Sequence, residues 1–159
     1  MFDFSIIADE WPTYLEGLMN TCWLVLVSLI AGLCIAIPMG VLRNSQNALL
    51  RYPAWAYIYF FRGTPLLVQL FIIYYGAGQW QWLQTTGAWK WFQEAWFCSL
   101  LAFALNTGAY TAEMIRGSIQ MIPKGELEAA ASFGMSHWQM LRHIVLPSAL
   151  RRALPAYSN

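Results

Sequence analysis

The chain has 159 residues, 58% of them hydrophobic and only 11% charged, with a formal net charge of +1 and a mean hydropathy of +0.44. A soluble domain carries about 25% charged residues, so this chain lacks the charge to cover a water-facing surface and reads as an integral membrane protein. Near-neutral charge also removes the electrostatic case for a nucleic-acid partner.

The first twenty residues hold Asp3, Asp9, Glu10 and Glu16 and no Lys or Arg, and Trp11, Pro12 and Tyr14 mark a short interfacial segment. No basic segment or cleavage site precedes the first apolar run, so the reading includes no removable signal peptide. Gly17 to Leu42 carries no charged side chain. A first span is placed at 21–42, long enough for the ~30 Å hydrocarbon core, with Pro38 positioned to kink it. A polar loop, Arg43 to Pro53, leads to a second apolar run at 54–75, interrupted by Arg62-Gly63-Thr64-Pro65. Pro65 deprives the Phe61 carbonyl of its helical partner. Broken backbone at membrane depth persists only where protein or a wet cavity satisfies it. Thr64 falls ~15 Å into this run, near the midplane.

Gly76 to Gln93 holds Trp80, Trp82, Trp89 and Trp91, the composition of a loop or short helix at a membrane interface. A third span, 95–115, carries Asn106, Thr107, Tyr110, Thr111 and Glu113, with Asn106 ~15 Å deep and Glu113 ~26 Å along. Arg43, Arg51, Arg116, Lys124, Arg142, Arg151 and Arg152 follow the first or third run, whereas the opposite side has Lys90 alone. The positive-inside bias then sets the N-terminus outside and residues 116–147 in the cytoplasm. Cys22, Cys34 and Cys98 lie in or beside apolar runs without paired spacing and read as buried, inert thiols.

That cytoplasmic stretch is polar and helix-forming. Gly125 to Phe133 is rich in Glu, Ala and Leu and predicts a short helix. Gly134 ends it in a left-handed conformation. Ser136 and Gln139 have capping-box spacing, starting a second helix at Trp138 that ends near Val145, because the residue before Pro147 is biased out of the helical region.

Glu128-Ala129-Ala130, three residues, Gly134, nine residues, then Ile144-Val145-Leu146-Pro147 resembles the EAA loop of bacterial ABC-importer permeases. Two further stretches, Phe60 to Leu70 and Leu105 to Glu113, together with Leu154 to Asn159, resemble the polar amino acid permeases, nearest the M-type subunit of the histidine/lysine/arginine/ornithine importers. The resemblance implies an all-α type I ABC-importer permease bundle. Three transmembrane helices and a cytoplasmic coupling helix would be present in a single domain, 1–159. Such permeases continue through two more spans, so the chain is expected to be a truncated five-helix subunit of the bacterial inner membrane.

The resemblance also implies the partners: a periplasmic substrate-binding protein, a second permease (paralogue or self), an ATPase dimer holding ATP-Mg, and surrounding membrane lipid. This chain would hold no cofactor and perform no catalysis, and it contains no GxxxxGK[ST], HExxH or CxxC pattern. Leu127, Glu128, Ala129, Ala130, Gly134 and Met135 are the candidates for ATPase contact. Alternatively, Glu128 is a solvated helix charge, and Gly134 most simply permits the turn.

Thr64, Gln69, Asn106, Tyr110 and Glu113 are the candidates for the amino-acid path, since polar groups in spans face a bundle interior or cavity. Thr64 and Asn106 fit substrate contact or helix–helix hydrogen bonding equally; Gln69 favours the structural role. Glu113 is also spaced to pair with Arg116. Arg62 fits a brace of the broken helix better than a substrate contact. His137 and His143, six apart, share no helix face for a metal. Two other classes remain open: an ion-coupled secondary transporter using the broken helix and Glu113, and a membrane scaffold recruiting a cytoplasmic partner.

Overall fold

The structure, a computed structural model, describes residues 10–157; Asp3, Asp9, Ser158 and Asn159 lie outside them. The described chain runs α1 (Trp11–Arg43), α2 (Ala48–Gly63), α3 (Leu66–Ala77), α4 (Gln81–Gln84), α5 (Trp89–Phe92), α6 (Ala95–Gln120), α7 (Lys124–Ser132) and α8 (His137–Met140), then a π-helical turn (Leu141–Val145) and α9 (Leu146–Tyr157).

α1 starts ten residues ahead of the expected span, with Pro12 in its first turn, where a missing N–H costs nothing. The interfacial segment is therefore part of this 33-residue helix, which also continues through Pro38. Ser45 and Asn47 shape the short loop that follows, Asn47 capping α2 by accepting from the Leu49 amide at 3.0 Å. α2 consequently begins six residues before the expected second run and absorbs Pro53. The Trp-dense segment folds into α4 and α5, with Trp80 and Trp82 stacked at 6.1 Å.

The long central helix α6 organises the rest: α1 lies along it, and α2, α3 and α9 pack on it as well. The reason is a row of small residues. Ser28, Gly32, Ala36 and Gly40, four apart on α1, are all buried, as are Ala104, Gly108, Ala112 and Ile115 on α6. Without a hydrophobic drive between helices in lipid, association rests on close backbone approach, which only small side chains permit. A Cβ added at Gly40 would sit 2.9 Å from the Ala112 carbonyl oxygen and from Ile115, and one at Gly32 3.2 Å from the Ala104 oxygen. Ala36, Ile58, Ala112 and Ile115 form the buried core beside this seam. The other faces of α1 expose Trp23, Leu26 and Ile30.

One described helix, α1, is long and apolar enough to cross a membrane; α2 and α3 together make a second candidate, but bent by 106° at their break. The expected interruption of the second run, 54–75, at Arg62 to Pro65 is a break between two helices, and its sharp angle is what the sequence did not indicate. The expected third span is one helix, α6, running to Gln120; its polar residues leave it short of the apolarity of a freestanding span. Cys98 is buried and donates to the Phe92 carbonyl at 3.3 Å, but Cys22 and Cys34 are exposed on α1, contrary to their reading as buried thiols.

Gly40→Ala is expected to lower stability by about 1–3 kcal/mol through overpacking against backbone. Gly17→Ala, with nothing within 4 Å of the added Cβ, should be neutral or better. Thermal unfolding of both in detergent checks this, and equal midpoints would contradict the seam.

Candidate functional site

The break between α2 and α3 shows what replaces a lost helical bond. Thr64 and Pro65 are extended, with ψ of 142° and 137°, and the Phe61 carbonyl has no amide four residues on to receive. Gln69, one turn into α3 and only 2% exposed, turns its side chain back: Nε2 donates to the Phe61 carbonyl at 2.9 Å, the Thr64 carbonyl at 3.0 Å and Thr64 Oγ1 at 2.8 Å. Asn106 reaches in from α6, Nδ2 donating to the same Phe61 carbonyl at 3.2 Å and to Gln69 Oε1 at 3.1 Å. Thr64 Oγ1 closes the knot by donating to the Phe60 carbonyl at 2.8 Å. Three of the five residues picked for the amino-acid path are therefore brought together, and their polar atoms bond to one another and to broken backbone.

Tyr110 and Glu113 lie further along α6 and face the side chain of Arg62 near the end of α2. The Arg62 guanidinium sits 5.3 Å over the Tyr110 ring and 3.9 Å from Glu113. Arg116, three residues on, donates to Glu113 at 2.7 Å, the pairing its spacing predicts. Arg116 Nε is buried with no hydrogen-bond partner among the described residues. Arg62, Tyr110 and Glu113 border an open cavity of about 360 Å³ lined also by Arg43, Trp55 and Tyr59. One carboxylate there faces a surplus of guanidinium, and an aromatic face stands beside it. Chemically, such a wall can pair a carboxylate with arginine and a separate cationic group with Glu113 and the Tyr110 ring. Arg43, at the end of α1, belongs to this wall, although sequence reasoning assigned it only to a loop. Its signal was visible as a cation closing an uncharged span.

The second region is the turn at Gly134. α7 ends in a two-bond cap: the Gly134 amide donates to the Ala131 carbonyl at 2.9 Å and the Met135 amide to Ala130 at 3.2 Å, the Schellman arrangement. Gly134 has φ +75°, a region where an L side chain crowds the following carbonyl. Ser136 then caps α8: its Oγ accepts from the Gln139 amide at 3.3 Å, and Gln139 Oε1 accepts from the Ser136 amide at 2.8 Å. The helix starts at His137, one residue ahead of expectation. Its expected end near Val145 is corrected, because Leu146 stays helical and α9 continues through Pro147. Pro147 gives no amide to the His143 carbonyl and crowds it. The wider π turn immediately before takes up that misfit, while burial of Ala149 and Ala153 holds α9 in place.

Within this loop Glu128, Ala129 and Gly134 are exposed, Leu127 and Met135 half-buried, and Ala130 is buried. Ala130 therefore packs inward in this structure, although its reading was a contact for the ATPase. The apolar side chains presented outward are Phe133, 88% exposed, and Trp138, 67% exposed. Sequence reasoning missed both, and their signal was a large apolar residue on each side of a polar turn. His137 is exposed, and His143 Nδ1 lies 3.0 Å from the Gln139 carbonyl.

A small-residue seam, a broken helix braced from a neighbour, and a paired-helix turn make the described residues an all-helical membrane-protein fold. Residues 28–159 match the family of binding-protein-dependent transport system inner membrane components, and the chain belongs to that family. It is 45% identical over 158 residues to the nopaline transport system permease protein NocM of Agrobacterium fabrum, covering 99% of this chain and 66% of that one. It is 43% identical to the histidine/lysine/arginine/ornithine permease HisM of Escherichia coli K12, covering 98% and 68%. A crystal structure of an amino acid ABC transporter with histidines superposes with a TM-score of 0.78 at 33% identity, covering 98% of this chain and 69% of that one. The chain thus spans about two thirds of the length of the relatives it matches.

Gln69→Leu keeps shape and removes the Gln69 donor to the break, leaving the Phe61 carbonyl with Asn106 alone. It is expected to cost about 1–3 kcal/mol for the buried carbonyl left short of partners. Asn106→Leu, which leaves Gln69 in place, should cost less. Thermal unfolding ranks the two, and an unaffected Gln69→Leu would show that the brace contributes nothing.

Proposed function

We propose that this chain is the permease subunit of an ATP-binding-cassette importer for polar or cationic amino acids or opines, set in the bacterial inner membrane with its N-terminus outside. α1, the bent α2–α3 pair and α6 act as three membrane-crossing units, and residues 116–147 form a cytoplasmic coupling loop. A periplasmic binding protein delivers substrate to a pair of permeases, a paralogue or second copy completing the pair. ATP is hydrolysed in a separate ATPase dimer, and this chain needs no cofactor.

The observation that carries this reading is the coupling turn. Its helix–Schellman cap–capping-box–helix geometry places Glu128-Ala129-Ala130 of the EAA pattern on α7 and its Gly134 at the turn, and it carries Phe133 and Trp138 outward. An exposed apolar pair on a rigid polar hairpin is the form an anchor for a partner's groove takes. Leu127, Glu128, Ala129 and Met135 flank that anchor and belong to the same contact, whereas Ala130 supports it from inside. Substrate selectivity is assigned to the cavity of Arg62, Tyr110 and Glu113. Thr64, Gln69 and Asn106 shape that cavity by holding the α2–α3 bend.

The turn sets a ranked series. Proline cannot reach φ +75°, alanine carries a strain of roughly 1–2 kcal/mol there, and asparagine tolerates it. ATP-driven uptake into vesicles containing the whole transporter should fall from wild type through Gly134→Asn and Gly134→Ala to none with Gly134→Pro, at equal membrane insertion. Full uptake by Gly134→Pro, or uptake driven by a proton gradient without ATP, would overturn the assignment. At the cavity, Glu113→Gln should raise KM for lysine or arginine about tenfold, the loss of ~1.4 kcal/mol of charge-assisted binding to the side-chain cation, and leave KM for glutamine, which has no such cation, nearly unchanged. Equal changes for both would return Glu113 to a pairing role with Arg116.

A further inference from the structure

A second, smaller cleft of about 200 Å³ opens beside the cavity just described, lined by Arg43, Arg51, Tyr52 and Trp55. Two guanidiniums converge on it and no carboxylate lines it. Both arginines are half-buried, and among the described residues neither forms an ion pair. Among the described residues, the Arg51 guanidinium lies over the face of Tyr52, 5.5 Å from the ring centre. Bringing two like charges together in a partly desolvated cleft is unfavourable unless an anion joins them. The cleft lies where α1 ends and α2 begins, on the side that carries the surplus of arginine and lysine.

From the cleft an apolar ridge runs along α2. Trp55 and Tyr59, one turn apart, stack at 5.2 Å with their planes 21° apart, and both are exposed. α2 runs inward from the loop, so Tyr59 lies ~12 Å further along the helix than Arg51. A headgroup-sized pocket with two guanidinium forks, continued by an aromatic pair that also lines the neighbouring cavity, matches a molecule with a phosphate at one end and an acyl chain at the other. Basic pockets at the cytoplasmic membrane face hold anionic lipid headgroups in this manner.

We propose that Arg43 and Arg51 form a binding site for the phosphate of an anionic phospholipid of the inner leaflet, its acyl chain lying along Trp55 and Tyr59. The site rests on the cytoplasmic placement of this end of the helices and not on the coupling turn or on transport. It fixes the loop between α1 and α2, and through Arg43 the wall of the neighbouring cavity.

Native mass spectrometry of the full chain in detergent tests it, with dioleoyl phosphatidylglycerol and dioleoyl phosphatidylcholine as paired probes. Wild type should retain phosphatidylglycerol at least about tenfold better. The preference should vanish in Arg43→Gln/Arg51→Gln and persist in Arg142→Gln/Arg151→Gln, which removes the same charge elsewhere on that side. Arg51→Gln alone, at the exposed start of α2, should lose an intermediate share, which keeps the test decisive if the double variant fails to fold. Equal loss in both double variants would reduce the effect to general charge and overturn the site. Displacement of the lipid by millimolar inorganic phosphate would assign the cleft to a free ion and overturn the lipid assignment. Because binding is read without ATP or uptake, its failure leaves the transport reading standing, and the reverse also holds.

Discussion

A single carbonyl constrains this fold more than any apolar contact. Pro65 ends α2 by withholding the amide that Phe61 would use, and a bare carbonyl in a membrane costs several kcal/mol. The chain meets that cost twice over, from Gln69 behind the break and from Asn106 across the interface. Because Asn106 belongs to α6, the break can hold its 106° angle only while α3 and α6 stay in register. The small-residue seam with α1 sets where α6 lies. The bend and the seam are therefore not independent features, and a shift of α6 by one helical turn would leave the Phe61 carbonyl with one donor fewer.

This bracing separates two kinds of polar residue that look alike in a sequence. Thr64, Gln69 and Asn106 spend their hydrogen-bonding capacity on backbone and on each other, which leaves little for a passing solute. Tyr110 and Glu113 retain a face toward open space, bordered by Arg62. The distinction follows from reach. Residues at the level of the break meet its unsatisfied carbonyls, whereas residues one and two turns along α6 meet the guanidinium that ends α2. Open space therefore belongs to the charged level and rigidity to the amide level, and each depends on the other's geometry.

What the sequence made legible was local. The Gly134 turn, the Ser136–Gln139 box and the pairing of Glu113 with Arg116 each follow from residues within five positions of one another, where backbone rules decide the outcome. The orphaned Phe61 carbonyl was also legible, since it follows from one proline. Its rescuer across the interface was not, because Asn106 lies 45 positions away. Pro147 was misjudged for the same reason: the steric bias before a proline is modest, and packing of Ala149 and Ala153 against α6, together with a π turn, outweighs it. Cys22 and Cys34 were misplaced because an apolar helix gives no sign of which face meets a neighbour. Only the four-residue spacing of Ser28, Gly32, Ala36 and Gly40 carried that information, and it points the cysteines elsewhere. The 106° bend lay beyond sequence altogether, since Gly and Pro announce a break but not its angle.

The same connectivity bears on how a push at the coupling turn could reach the cavity. α6 carries Asn106, Tyr110, Glu113 and Arg116 in succession and passes through only Met121, Ile122 and Pro123 before α7 begins. Ile122 in that joint is buried, so the connection is packed rather than slack. α9 returns to α6 beyond the turn, and Arg152 lies 4.0 Å from Glu126 on α7. The hairpin is thereby held to α6 at both ends, and it cannot swing as a free flap. A displacement of α7 must be passed to α6 as a rigid shift, and the first groups to register it are the Glu113 pairings with Arg116 and Arg62. At 2.7 Å the Arg116 contact travels with α6, but the 3.9 Å contact to Arg62 spans two elements and is the one such a shift would break. The weaker ion pair, not the stronger, is therefore the contact that a displacement of α7 relative to α2 would strain first.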